Sequence, residues 1–225
     1  MKRIKLNDRI LPNYTKGEEI FNMVSHIVGG VLGIFVVIYG IVKAICGGLT
    51  IYELLSLIIF GITLILLYTF SSIYHGLSPK LKAKKVFQIF DHCTIFLLIA
   101  GTYTPFCLCT LMEYDFNTGI FMFFLVWLMA IIGIVFNAID LKRYKVFSLI
   151  CYLVMGWGII IKTNVLLKLL GFWGFLLLLL GGLFYSVGVI FYVKGKKHKW
   201  FHSIFHIFCV IGSLLHVLAI LLFVL

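Results

Sequence analysis

Charge is scarce in this chain: of 225 residues only 12% are charged, and just 8 are Asp or Glu. Soluble domains carry roughly twice that charged fraction, so a water-facing globular surface is excluded. Proline is nearly absent, with 3 residues, and no serine-rich or charged linker interrupts the chain, so it reads as one domain. The polar alternation that marks barrel strands is missing too. The 6 cysteines lie mostly inside apolar runs, without zinc-ribbon or thioredoxin spacing, and read as small buried hydrophobes. Only Cys107 and Cys109 fall near a helix end, where a disulfide or a reactive thiol has room to form.

What fills the chain is apolar sequence, 63% of residues, with a mean hydropathy of +1.15. Long apolar runs of the length a bilayer demands, about 20 residues, predict spans at 20–43, 51–75, 87–109, 118–138, 146–167, 171–193 and 202–224. The first run is too long for a signal peptide and has no small-residue cleavage site, so it is expected to remain as a helix. The expected fold is an all-α integral membrane protein, a seven-transmembrane helix bundle. Residues 1–17 form a cytoplasmic N-terminal segment and 18–225 the membrane domain.

Basic residues supply an independent test, because cytoplasmic loops collect them. With the N-terminus inside, one side holds Lys2, Arg3, Lys5, Arg9 and Lys16, then Lys80, Lys82, Lys84 and Lys85, then Lys142, Arg143 and Lys145, and finally Lys194, Lys196, Lys197 and Lys199. The other side keeps Lys43, Lys162 and Lys168, with the acidic pair Glu113 and Asp115. The net charge of +11 is therefore topological, directed at membrane lipids with anionic headgroups. Nucleic acid is not needed to explain it, and the lysine-rich loops read as solvated faces. The C-terminus falls outside. That sense is opposite to G-protein-coupled receptors, so no G protein is expected. Retinal is excluded as well, since its Schiff base needs a lysine in the last helix and 201–225 has none.

Ionisable side chains inside a bilayer are costly and mark function by default. Here they converge on one depth. His26 lies in the first turns of helix 1, His75 ends helix 2, Asp91 and His92 open helix 3, and His202 and His206 open helix 7. His202 and His206, four apart, share one helical face. With His75 they form a three-histidine set with an open fourth position, the arrangement of catalytic zinc. Asp91 then serves as general base or as a partner of the water, and Ser71, one turn deeper than His75, bonds a ligand histidine or a developing oxyanion. HxxxH spacing also serves interhelical hydrogen bonding and proton carriage, and by itself does not choose among the three. His26 and Glu19, seven apart on one face, are candidates to support the site, against an interhelical hydrogen bond for His26 and a helix-dipole role for Glu19. His216 lies roughly 21 Å from His202 along the helix, too far to share its ligand. His92 is expected to pack, and His198 to be solvated. Gly29, Gly30, Gly33, Gly181 and Gly182 permit close helix approach, and Pro105 is expected to kink helix 3.

Several stretches occur together in order: Glu19-Ile-Phe-Asn22-Met-Val-Ser25-His26, Ser71-Ser-Ile-Tyr-His75, Asp91-His92 followed by Ile95 to Phe106, and His202-Ser-Ile-Phe-His206 followed by Gly212-Ser213 and His216. In these the sequence resembles the progestin and adiponectin receptor family, in its bacterial hemolysin III-related branch. The resemblance implies seven helices with the N-terminus inside, zinc held by His75, His202 and His206, and an aspartate matching Asp91 bridged to the metal through water. It implies a multi-pass protein of the bacterial plasma membrane. Family members are similar to alkaline ceramidases in these motifs, which implies a zinc-dependent hydrolase of lipid amides engaged in membrane lipid homeostasis. Two other readings stand beside it: a membrane-state sensor or receptor with structural zinc, and a cytolysin. The positive-inside, permanently apolar pattern disfavours a secreted toxin. The short N-terminal segment leaves no sizeable outer domain for a protein hormone.

Reporter fusions in the loop near Lys142 and at Leu225 are expected to lie on opposite sides of the membrane. Signals on the same side for both overturn the seven-span count.

Overall fold

A computed structural model describes residues 6–195 and 197–225, so Lys2, Arg3, Lys5 and Lys196 of the charge pattern lie outside the described residues. Within them the chain is helical and without strands. The helices are α1 (Lys16–Ile45), α2 (Ile51–Gly76), α3 (Lys82–Pro105), α4 (Phe116–Asp140), α5 (Lys145–Trp157), α6 (Thr163–Lys194) and α7 (Phe201–Phe223). Local sequence sets their starts. Thr15 with Glu18, and Thr50 with Glu53, make reciprocal capping boxes at α1 and α2. Asp115 caps α4 by accepting the Thr118 backbone N–H at 2.7 Å.

Proline 105 does not end α3. It is followed by a π-helical stretch, Phe106–Leu111, and one further α turn, Met112–Tyr114, so the lost backbone bond is absorbed by a wider helix. The nearby hydroxyls turn inward on their own helix: Thr102 donates to Leu98 O and Thr104 to Ala100 O. All six cysteines are free, Cys107 and Cys109 included.

Neighbours in sequence pack in order, α1 on α2, α2 on α3, α3 on α4 and α6 on α7, and α7 returns to pack on α1. Asn22, His26, Gly29, Gly33, Val36 and Gly40 form the buried stripe of α1, at steps of three and four residues. The opposite stripe, including Val28, Val31, Phe35, Ile38 and Val42, is exposed apolar surface of the kind lipid covers.

Six helical segments among the described residues are long and apolar enough to cross a membrane, where seven were expected. The two expected spans 146–167 and 171–193 run together as Lys145–Lys194, because the 3₁₀ turn Gly158–Lys162 joins α5 to α6 without a loop and only the single residue Gly171 interrupts the helix where the two spans meet. Those 50 residues would measure about 75 Å if straight, against a hydrocarbon thickness of about 30 Å. They are not straight. Gly171 has φ 65 and ψ 179, a conformation reserved for glycine, and Trp157 Nε1 donates to Ser186 Oγ at 2.9 Å across it. The segment is broken at Gly171 and doubles back there, which brings Trp157 to Ser186.

The α1–α2 crossing rests on glycine. A Cβ on Gly61 would lie 2.5 Å from Val37 Cγ2 and 3.0 Å from Gly33 O, whereas one on Gly30 would meet nothing nearer than Tyr68 Cβ at 3.7 Å. Gly61→Ala is therefore expected to destabilise the detergent-solubilised protein by about 1–3 kcal/mol, read as a lower thermal midpoint. Gly30→Ala is expected to leave the midpoint unchanged.

Candidate metal centre

Closure of the bundle brings the last turn of α2 against the first turns of α7. Three buried histidines meet there: His75 from α2, and His202 and His206 from α7. One ring nitrogen from each lies within 4.8 Å of the others, a set that could hold a metal ion. His202 Nε2 and His206 Nε2 face each other at 3.2 Å. His75 Nε2 and His206 Nδ1 are buried without a hydrogen-bond partner. Buried polar atoms rarely remain unpaired, so the cluster is short of a partner inside the protein.

Groups around the cluster fix its rings. A carboxylate only accepts, so His75 donates its Nδ1–H to Glu19 Oε2 at 2.7 Å, leaving Nε2 as the lone-pair nitrogen. Glu19 Oε1 accepts from Lys84 Nζ, also at 2.7 Å, and the same ammonium donates to Leu77 O at 2.9 Å. His26 stacks on His206 with ring centroids 3.6 Å apart. Tyr14, just ahead of α1, stacks on His202 at 4.8 Å. Burial pushes the Tyr14 phenol well above its ordinary range, and the nearby Tyr192, Asp91, Glu19 and Glu18 add to the effect, so it stacks as a neutral ring.

The two proposed participants in chemistry are placed differently. Asp91 lines an internal cavity of ≈160 Å³ together with His26 and His202, and its Oδ2 lies 3.4 Å from His92 Nδ1. Ser71 is buried, its hydroxyl without a hydrogen bond inside the protein. His92 was expected only to pack, but it lines the same cavity as Asp91, and it bonds Gln88 O at 2.9 Å and Tyr192 OH at 3.2 Å. His216 donates from Nε2 to Leu178 O at 3.2 Å, remote from the cluster. His198 is exposed, against Phe201.

Sequence reasoning missed three contributors. Lys84 was counted among solvated loop lysines, but it is only 1% exposed and paired with Glu19. Its signal was there: it precedes Asp91 by seven residues on one helix face, as Glu19 precedes His26. Tyr14 carried no signal, since it lies ahead of any helical periodicity. Glu18 accepts the Trp200 backbone N–H at 2.6 Å and so ties the start of α1 to the residue before α7.

A family model described as Haemolysin-III related matches residues 14–217, which include every residue of the centre. The chain belongs to this family. It is 41% identical over 200 residues to the Hemolysin-3 homolog of Bacillus subtilis (strain 168), covering 89% of this chain and 91% of that protein. It is 39% identical over 208 residues to Hemolysin-3 of Bacillus cereus, covering 92% of each. At 28% identity over 173 residues it is also similar to the Monocyte to macrophage differentiation factor of Homo sapiens, covering 75% of this chain and 70% of that one. Six apolar helices and these relatives identify a multi-pass membrane protein.

Lys84→Met leaves Glu19 without its ammonium partner beside a buried imidazole. It is expected to destabilise this haemolysin-III relative by about 3 kcal/mol, measured by denaturation in detergent micelles. Glu19→Gln combined with Lys84→Met is expected to recover part of that loss.

Proposed function

We propose that this protein is a zinc-dependent hydrolase of lipid amides of the ceramide type, acting in membrane lipid homeostasis. The observation that carries the reading is the buried three-histidine cluster set beside an apolar cavity into which Asp91 also faces. The residues fit zinc. Tetrahedral zinc with Zn–N bonds of about 2.0–2.1 Å requires ligand nitrogens roughly 3.3 Å apart, and His202 Nε2 and His206 Nε2 stand at 3.2 Å. Among the described residues three protein ligands converge without a fourth, the pattern of a site that works on water, where structural zinc is closed by four. Zinc held by His75, His202 and His206 supplies Lewis-acid polarisation of a carbonyl and acidification of a water molecule.

The chain's own groups do the rest. The cavity takes the apolar chain of the amide and brings its carbonyl to the end lined by His26, Asp91 and His202. Asp91 accepts the proton of the attacking water and returns it to the amine as the C–N bond breaks. The buried Ser71 hydroxyl, close to Asp91, donates to the carbonyl oxygen as negative charge develops there. Glu19 holds the tautomer of His75, and His26 holds the plane of His206.

The membrane arrangement we propose is seven crossings, with the N-terminus in the cytoplasm and the C-terminus outside, in a bacterial plasma membrane. Support comes from Lys145–Lys194, which is too long for one crossing and brings Trp157 to Ser186 across Gly171. The basic residues then fall on the inner side, and the zinc site near it.

Purified protein is expected to carry about one zinc per chain by elemental analysis, lost on replacing His75, His202 or His206 by alanine. Offered a panel of lipid amides, wild type is expected to release fatty acid, and Asp91→Asn to do so at least tenfold more slowly while keeping its zinc. Tenfold corresponds to about 1.4 kcal/mol of transition-state stabilisation. A wild type that keeps zinc but hydrolyses none of the panel removes the hydrolase reading and leaves the sensor with structural zinc.

A further inference from the structure

Two cavities approach the histidine cluster from different sides. The first is lined by Asp91 and by His26, His92, His202 and His216, yet its wall is almost wholly apolar by area, with Leu98, Phe106 and Leu178 among its residues. The second, ≈540 Å³, lies between the start of α1 and the end of α2 and is lined by Tyr14, Lys16, Glu19, Met23, His75 and Ser78 among others. Lys16, Ser78 and Pro79 on its rim are exposed, so among the described residues it opens at the surface of the bundle. His75 belongs to the second cavity and not to the first, and Glu19 is the one carboxylate that lines it. The cluster thus stands between an almost wholly apolar chamber and a second cavity whose wall, though largely apolar, carries Lys16, Glu19 and Ser78.

We propose that the second cavity is the route by which a divalent cation enters and leaves the cluster, with Glu19 as the first group to meet it. This rests on the reading of His75, His202 and His206 as metal ligands. A hydrated dication is costly to bring through an apolar chamber, because its water must be shed before any ligand replaces it. On the other side, water and a carboxylate accompany the ion as far as an imidazole. Glu19 Oε2 lies 2.7 Å from His75 Nδ1, so an ion on that carboxylate is one residue from the cluster. Lys84 Nζ on Glu19 Oε1 and Leu77 O is a tethered cation that neutralises the carboxylate while no ion is passing. The carboxylate therefore receives an ion without becoming a permanent trap for it.

The test compares zinc exchange rates with zinc affinity in the full chain. Uptake by metal-stripped protein and release to a chelator are followed for wild type, Met23→Trp and Ser78→Trp, which fill the second cavity. Gly156→Leu fills the first, where a Cβ on Gly156 meets nothing within 4 Å. The route predicts uptake and release both slowed at least tenfold in the first two variants, with affinity unchanged, and wild-type rates in Gly156→Leu. A milder block covers the case in which tryptophan disturbs folding. Ser78→Cys carrying a cationic methanethiosulfonate label is expected to exchange slowly and to recover on reduction, while equally treated wild type is unaffected. Unaltered rates in the labelled protein, or slowing confined to Gly156→Leu, overturn the route while leaving the metal site standing. No zinc taken up by wild type overturns the metal reading itself.

Discussion

One carboxylate holds three helices together at the polar end of the bundle. Glu19 belongs to α1, and its two oxygens are divided between His75 of α2 and Lys84 of α3. In a medium of low dielectric such a group is stable only while both partners are present. Each pairing therefore restrains the other: Lys84 Nζ holds Glu19 Oε1, and Glu19 Oε2 accepts from His75 Nδ1–H and so orients the imidazole. The lone pair of His75 is aimed at the α7 histidines by a lysine that touches none of them.

Elsewhere the polar groups are spent internally. Tyr103 donates to Met155 O and accepts from the Ile159 N–H, Tyr152 donates to His92 O, and Tyr185 shares a hydrogen bond with Ser213. These side chains all lie on or beside the internal cavity, and their hydroxyls are already committed to protein partners. The wall is chemically quiet over most of its length as a result. Unmet hydrogen-bonding capacity among the described residues falls largely at the end where the helices converge, on Asn22, His26, Ser71, His75, Ser203 and His206, with His216 Nδ1 apart from them. A bilayer protein cannot leave such groups to water, and their concentration in one place is what marks it as a site.

Much of this was legible because helical spacing is a strong constraint. Pairs four or seven apart, His202 with His206 and Glu19 with His26, must share a face, and basic loops placed all of them at one depth. Apolar length located α1 through α4 and α7 to within a few residues. Two kinds of feature escaped. Lysine in a loop is read as solvated unless something announces its partner, and the partner of Lys84 lies 65 residues away on another helix. The join between α5 and α6 escaped because the 3₁₀ turn Gly158–Lys162 carries no polar loop that hydropathy detects, whereas the break at Gly171, inside α6, falls beside the expected boundary between the fifth and sixth spans.

The tie between Glu18 and Trp200 spans 182 residues, and Trp200 is held in a left-handed conformation, φ 66, that a bulky residue adopts only under restraint. It joins the first helix of the chain to its last. A ribosome delivers α1 and α2 long before α7, so Glu19 and His75 wait in the membrane as an incomplete pocket through most of translation. It is finished only when the final helix has entered the bilayer and its first residues have been drawn back to the beginning of the sequence. Arrival of α7 and closure of the histidine cluster are one event, and a chain truncated before α7 keeps the greater part of its helices but lacks both His202 and His206.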